Sequence, residues 1–258
     1  MSEDGQSIWA RGPGTMTVAT RPMAPGVRFE WHTHEDHQIA WALNGVLTVT
    51  TADASWILPP TRALWIPAGL EHETSPSTPA ATLRSVYLRP QTCPVDWTVP
   101  TPIAARPLLA EIIAYLEGER LAAEQRARAE AVLLDLLEPA PIRTIELRIP
   151  TEGGPARRVA AALAGDPADR KTLEQWGREV GASGRTLARA FQAETGMTFG
   201  RWRALARLRA AIPLLAEGLP VTRVAAHVGY ESASAFVAAF RRETGLTPAA
   251  YFRPTEPG

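Results

Sequence analysis

Between Thr15 and Leu88 the apolar positions fall in short runs separated by turn residues. Met16 to Ala19, Val27 to His32, Ile39 to Leu43, Val46 to Thr51, Ser55 to Leu58 and Thr82 to Leu88 are rich in β-branched or aromatic residues and read as strands. Asn44-Gly45 between two of these runs predicts a tight hairpin, since both residues tolerate positive φ. Pro59-Pro60 and Pro67-Ala68-Gly69 punctuate the later strands. Many short strands with turn signals between them predict a sandwich or small barrel.

From Ile103 the period changes. Leu108, Leu109, Ile112, Ile113 and Leu116 recur at helical spacing, as do Val132, Leu133, Leu136 and Leu137 after a charged stretch. They predict an αα-hairpin joined near Gly118, whose apolar stripe either covers the barrel or forms a homodimer seam. Pro139 and Pro141 end it, Ile142 to Ile149 reads as one more extended segment, and Thr151 to Pro155 reads as a linker. The expected division is 1–100 for the β domain, 101–150 for the helical hairpin and linker, and 151–258 for an all-helical remainder.

That remainder contains one pattern twice. Val180-Gly181-Ala182-Ser183, Leu187, Phe191 and Glu194-Thr195-Gly196 are echoed by Val228-Gly229-Tyr230-Glu231, Phe236, Phe240 and Glu243-Thr244-Gly245. The offset grows from 48 to 49 residues, so the second copy has one extra residue in its turn. Each copy reads as helix, glycine turn, helix, the grammar of a helix-turn-helix. A helix from Arg157 to Ala164 precedes them, Thr172 can cap the next, and Ser183 can cap the first recognition helix. With Leu187 and Phe191 inward, Arg185, Thr186, Arg189 and Gln192 occupy the outward side, and Arg and Gln can grip guanine and adenine edges. With Phe236 and Phe240 inward, the second copy shows Ser232, Ser234, Ala238, Arg241 and Arg242, a set better suited to gripping phosphates than to reading bases. Thr198 to Gly218 reads as the connecting helix; about twenty residues span about 30 Å, against roughly 34 Å between successive turns of one groove. Pro213 inside it predicts a kink near Arg209 or a restart at Ile212.

Composition sharpens the division. The chain has 258 residues, 45% of them hydrophobic, enough for two domains with real cores. The formal net charge of zero is unevenly spread: 15 Arg/Lys face 10 Asp/Glu from Glu152 onward, leaving 12 against 17 before it. A basic C-terminal part beside an acidic partner points to nucleic acid at one end. No apolar run is long enough to span a membrane, and Met1 to Gly14 lacks the pattern of a secretory signal. The single cysteine, Cys93, cannot form an internal disulfide, which suits a cytoplasmic location.

The segment Thr172 to Arg253 resembles the DNA-binding domain of the AraC/XylS family of bacterial transcription regulators. The resemblance is carried by Val224-Ala225-Ala226-His227-Val228-Gly229-Tyr230, then Ser232, Ser234, Phe236, Phe240-Arg241-Arg242 and Gly245-Leu246-Thr247-Pro248-Ala249-Ala250-Tyr251. It implies seven helices, two helix-turn-helix units and promoter DNA as partner.

The N-terminal part resembles a cupin, a small β-barrel that members of this family use as an effector domain. Gly26, His32, His34, Gln38 and Gly45 match the spacing of the first cupin motif, and Pro67-Ala68-Gly69-Leu70-Glu71-His72 matches the core of the second. Glutamine stands where metallocupins carry glutamate, and the asparagine that often closes the second motif is missing. Read without the family, His32 and His34 are two apart on a strand and share a face. Gln38 on a hairpin partner and His72 on a later strand would complete a site with three nitrogens and one oxygen, suited to one divalent transition metal. Glu35, Asp36 and His37 are candidate substitutes. The alternatives are an organic effector without metal and a structural role for the histidines. Six of the eight tryptophans, Trp9, Trp31, Trp41, Trp56, Trp65 and Trp97, lie in this part. Trp41 and Trp65 with Arg62 could line an effector pocket, or Trp41 and Trp65 could be barrel core and Arg62 a surface strand charge.

The expected molecule is therefore multidomain, α and β: a cupin-like β-barrel with an αα-hairpin, then an all-α double helix-turn-helix domain. Its expected function is transcriptional regulation with a metal or small molecule as effector, not catalysis. Its expected partners are double-stranded promoter DNA, a second copy of the chain and, for an activator, RNA polymerase. A metal-dependent oxygenase or isomerase with an accessory DNA-binding domain, and an effector-independent DNA binder, are the competing readings.

Overall fold

The computed structural model describes residues 15–118, 121–140, 144–151 and 153–253. Trp9, the Met1 to Gly14 stretch and the start of the expected Ile142 to Ile149 segment lie outside the described residues. By contacts the chain forms two compact units, one of Met1–Thr48, Leu58–Thr144 and Phe252–Gly258, the other of Val49–Ile57 and Ile145–Tyr251.

The N-terminal strands make two five-stranded sheets. One runs β1 (Met16–Met23), β8 (Ala81–Leu88), β3 (His37–Asn44), β6 (Arg62–Ile66), β9 (Thr101–Ala104); the other runs β10 (Glu146–Arg148), β5 (Ala54–Leu58), β4 (Leu47–Thr50), β7 (His72–Pro76), β2 (Phe29–His32). The first sheet is antiparallel throughout, with Gln38 opposite both Tyr87 and Ile66. Its alternation separates two faces. Ile39, Trp41, Ala63, Trp65, Val86 and Leu88 pack in one core with Leu109, Ile113, Leu116 and Leu133 of helices α1 (Pro107–Glu117) and α2 (Ala123–Asp135). Gln38, Ala40, Leu64 and Ser85 point to the opposite face.

The helical hairpin stripe thus covers the sheet, which was one of its two expected roles. Pro107 at the start of α1 supplies the φ a first helical turn needs. Two expectations fail in this unit. Asn44-Gly45 does not close a hairpin: Gly45 has φ +66°, as a tight turn requires, but β3 and β4 belong to different sheets. The turn hands the chain across, Val46 N–H donating to Thr78 Oγ1 and Ser77 N–H to the Val46 carbonyl. A Cβ at Gly45 would also lie 2.8 Å from Ala81 Cα, so glycine is required twice over. Helical structure does not begin at Ile103, which sits in β9 opposite Ala63.

The C-terminal helices are α3 (Pro155–Gly165), α4 (Leu173–Val180), α5 (Gly184–Thr195), α6 (Phe199–Ala216), α7 (Val221–His227), α8 (Ala233–Thr244) and α9 (Pro248–Tyr251), the seven that the family resemblance implies. Thr172 caps α4 with a reciprocal bond to Gln175, and Ser183, Thr198 and Ser232 cap α5, α6 and α8. The connecting helix does not restart at Ile212. It runs unbroken through Pro213, and Glu217 N–H reaches the Pro213 carbonyl at 3.0 Å. Proline deprives only the Arg209 carbonyl of its helical donor, and burial of Leu208, Ala211 and Ile212 holds that turn in place.

Candidate metal centre and nucleic-acid interface

The cupin-type motif converges. His32 ends β2 directly opposite His72 at the start of β7. His34 lies just past β2, in the loop before β3, rather than on the strand as expected. Its ring still sits 5.9 Å from that of His32 and 5.1 Å from that of His72. Gln38 arrives on β3, from the other sheet and not on a hairpin partner of β2. One ligand atom from each of His32, His34 and His72 lies within 4.8 Å of the others, and no carboxylate or thiolate joins this group among the described residues.

The hydrogen bonds define what these rings present. Nδ1 of His32 contacts the Glu30 carbonyl at 2.7 Å, Nδ1 of His34 the Asp36 carbonyl at 2.6 Å, and Nδ1 of His72 the Leu70 carbonyl at 2.9 Å. A carbonyl only accepts, so each Nδ1 carries the hydrogen and, in the neutral ring, each Nε2 keeps a lone pair. Burial lowers the pKa of His32, against the Glu30 carbonyl and aided by His34. It lowers that of His72 to about 4, against the Leu70 carbonyl and aided by His32 and His34. Both are neutral near pH 7. An imidazole that gives its Nδ1 hydrogen to a backbone carbonyl and aims Nε2 inward is the ordinary form of a metal-ligating histidine.

Gln38 adds a fourth acceptor. Its amide Nε2 donates to Ser85 Oγ at 2.7 Å, leaving Oε1 at 3.0 Å from His34 Nε2 and 3.1 Å from His72 Nε2. Lone pairs then face one another with no hydrogen between them, an arrangement that suits a cation. Without a cation the neutral cradle closes if the amide turns over, its NH2 donating to both imidazoles and Ser85 donating to its oxygen. Three imidazoles and an amide oxygen fit a borderline divalent ion such as zinc, iron, nickel or cobalt.

The expected substitutes stay out of the cradle. His37 stacks on Trp65 at 4.7 Å and accepts from Ala68 N–H. Glu35 is exposed, and Asp36 contributes its backbone carbonyl. The residues expected to line an effector pocket are not brought together. Trp41 and Trp65 belong to the core under α1 and α2, their indole N–H groups donating to Pro60 and Trp97 carbonyls. Arg62, 1% exposed, points to the Gln38 face of the sheet and donates to the Thr61 carbonyl. Sequence reasoning missed Ser85 and Tyr87. Tyr87 lies edge-on to His34 at 5.4 Å; burial raises its pKa, against a Ser85 hydrogen bond.

In the helical unit the repeat is explained atom by atom. Gly181 and Gly229 both turn the chain with positive φ, and Ser183 and Ser232 then cap α5 and α8. The extra residue falls between Gly229 and Ser232. Thr195 Oγ1 donates to the Phe191 carbonyl and accepts from Met197 N–H; Thr244 Oγ1 does the same with Phe240 and Leu246. Each Glu-Thr-Gly is thus a helix terminator, ending on Gly196 or Gly245 in the left-handed region. Phe191 packs on Phe199 and Trp202, Phe240 on Tyr251. With those faces buried, Arg185, Thr186, Arg189 and Gln192 are exposed on α5, and Ser234, Ala238, Arg241 and Arg242 on α8 with Ser232 at its cap.

Residues 16–137 match a family model described as an AraC-like ligand binding domain, and residues 176–254 match one described as a helix-turn-helix domain. The chain is 33% identical to the HTH-type transcriptional regulator NimR of Escherichia coli over 224 residues, 85% of this chain and 81% of that protein. It is 40% identical to the HTH-type transcriptional regulator RipA of Corynebacterium glutamicum over 121 residues, 45% of this chain and 37% of RipA. A solved structure of ToxT from Vibrio cholerae aligns over 93% of this chain and 97% of that one, at 11% identity and a TM-score of 0.39. The chain belongs to the AraC family of transcriptional regulators, with an AraC-like ligand-binding domain ahead of its helix-turn-helix domain.

Proposed function

We propose that this regulator acts in the cytoplasm as a one-component sensor: a divalent transition metal bound by His32, His34, His72 and Gln38 Oε1 alters its affinity for promoter DNA. The observation that carries the reading is the set of three Nδ1–H groups pinned by carbonyls, with one ligand atom from each ring within 4.8 Å of the others. The ion would be the effector or part of it, and no catalytic step is assigned to the chain, whose family is one of regulators rather than enzymes.

On DNA, α5 reads bases and α8 grips the backbone. Arg189→Ala lowers affinity for a duplex selected from random sequence and relaxes preference at one or two positions, by about 1–3 kcal/mol per lost contact. Arg242→Ala weakens binding to selected and unselected duplexes alike and reduces the salt slope by about one. Anisotropy titrations across a salt series check both. Unchanged affinity in both variants would remove these assignments.

The chain acts as a dimer. Leu108 and Tyr115, two turns apart on α1, are exposed apolar side chains away from the buried Leu109, Ile113 and Leu116, and Val132 of α2 is exposed as well. RNA polymerase is a further partner if the protein activates transcription.

A further inference from the structure

This inference rests on the reading of the histidine cradle as a metal site and names what that site senses. Every donor in the cradle is neutral: three imidazoles and one amide. No carboxylate belongs to the group among the described residues. Of the acids beside the motif, Glu30 is exposed and ion-paired with Arg28 at 2.9 Å, Glu35 and Glu71 are exposed, and the half-buried Asp36 and Glu73 do not belong to the group. A divalent ion held here keeps its full double charge beside His72 and Gln38, which are 0% and 2% exposed. An uncompensated charge in such a place is costly and draws in an anion.

We propose that the effector is a small carboxylate bound through the metal. Access is from the side of His32, which is only partly buried and sits on β2, the edge strand of its sheet. That side is flanked by the Phe29 ring, 6.3 Å from the His32 ring, and the cradle is bordered by Tyr87 at His34. These apolar surfaces suit a carboxylate carrying a hydrophobic group, and favour it over a phosphate. Gln38 sets the selectivity: by supplying oxygen without charge, it leaves the charge to be met by the ligand.

The test uses the full chain, stripped with chelator and reloaded with Co2+, whose visible absorption reports its ligands. Acetate, benzoate and phosphate are titrated in separately. The expected result is a saturable spectral change with acetate and benzoate, benzoate binding more tightly and phosphate more weakly. Gln38→Glu should move the two affinities in opposite directions, tightening Co2+ and weakening carboxylate by about tenfold or more; misfolding would weaken both. A bound, carboxylate-insensitive Co2+ spectrum would overturn the inference while leaving the metal site standing. So would phosphate binding more tightly than either carboxylate, or an undiminished carboxylate response in Gln38→Glu. Failure of the wild-type chain to take up Co2+ would overturn the metal reading itself.

Discussion

The imidazoles of His32, His34 and His72 each give their Nδ1 hydrogen to a carbonyl two residues away along the chain. The tautomers are therefore local consequences of backbone geometry, while the convergence of the rings is tertiary. This has a cost that acid exposes. In the folded, metal-free protein His72 resists protonation to about pH 4, whereas in the unfolded chain it takes up a proton near 6.5. The unfolded state thus binds the extra proton as pH falls from about 6.5 to about 4, and stability declines across that window and is retained above it. The whole shift corresponds to at most about 3 kcal/mol. Urea denaturation with chelator present, from pH 7.5 to 4.5, should show the decline, and His72→Gln should flatten it. An equally steep decline in the variant would assign it elsewhere. The convergence itself was legible from motif spacing, which marked His32, His34, Gln38 and His72 as side chains that would come together. Ser85 was not, because nothing in one chain's residue order marks which strand will lie beside Gln38.

At the level of elements, what could be read depended on whether the signal was local. The recognition helices were legible, since caps, buried phenylalanines and terminal glycines all act within a few residues of one another. The Asn44-Gly45 turn was half legible: its conformation follows from the dipeptide, but the partner of each flanking strand is decided by distant residues such as Thr78 and Thr82. β6 was hidden because Arg62, Ala63 and Leu64 are neither β-branched nor aromatic, whereas β5, buried just as completely, was marked by Trp56 and Ile57. The persistence of α6 through Pro213 reflects packing that outweighs local propensity. The paired turns give a direct test of close approach. At Gly181 an added Cβ meets nothing within 4 Å, so Gly181→Ala should cost only the left-handed strain, about 1–2 kcal/mol. At Gly229 it would come 2.7 Å from Ala168 Cα and 2.9 Å from the Ala168 carbonyl oxygen. Gly229→Ala should therefore destabilise clearly more than Gly181→Ala in urea melts. Equal losses would mean that the loop at Ala168 yields freely.

For the whole molecule, no helix among the described residues is long and apolar enough to cross a membrane, and the two units carry separable chemistry, imidazoles in one and outward arginines in the other. The exposed pair Leu108 and Tyr115 on α1 predicts a dimer by light scattering at micromolar concentration, and a monomer when both are changed to Asp. A wild-type monomer would contradict that seam. In the proposed sensor, occupancy of the histidine cradle is felt at the DNA. The most direct measurement is the affinity of the full-length protein for a selected duplex, by anisotropy, with Zn2+ or Co2+ and then with chelator. The account predicts a difference of about fivefold or more, lost in His72→Ala protein that still melts cooperatively. Identical affinities with metal and with chelator would contradict it.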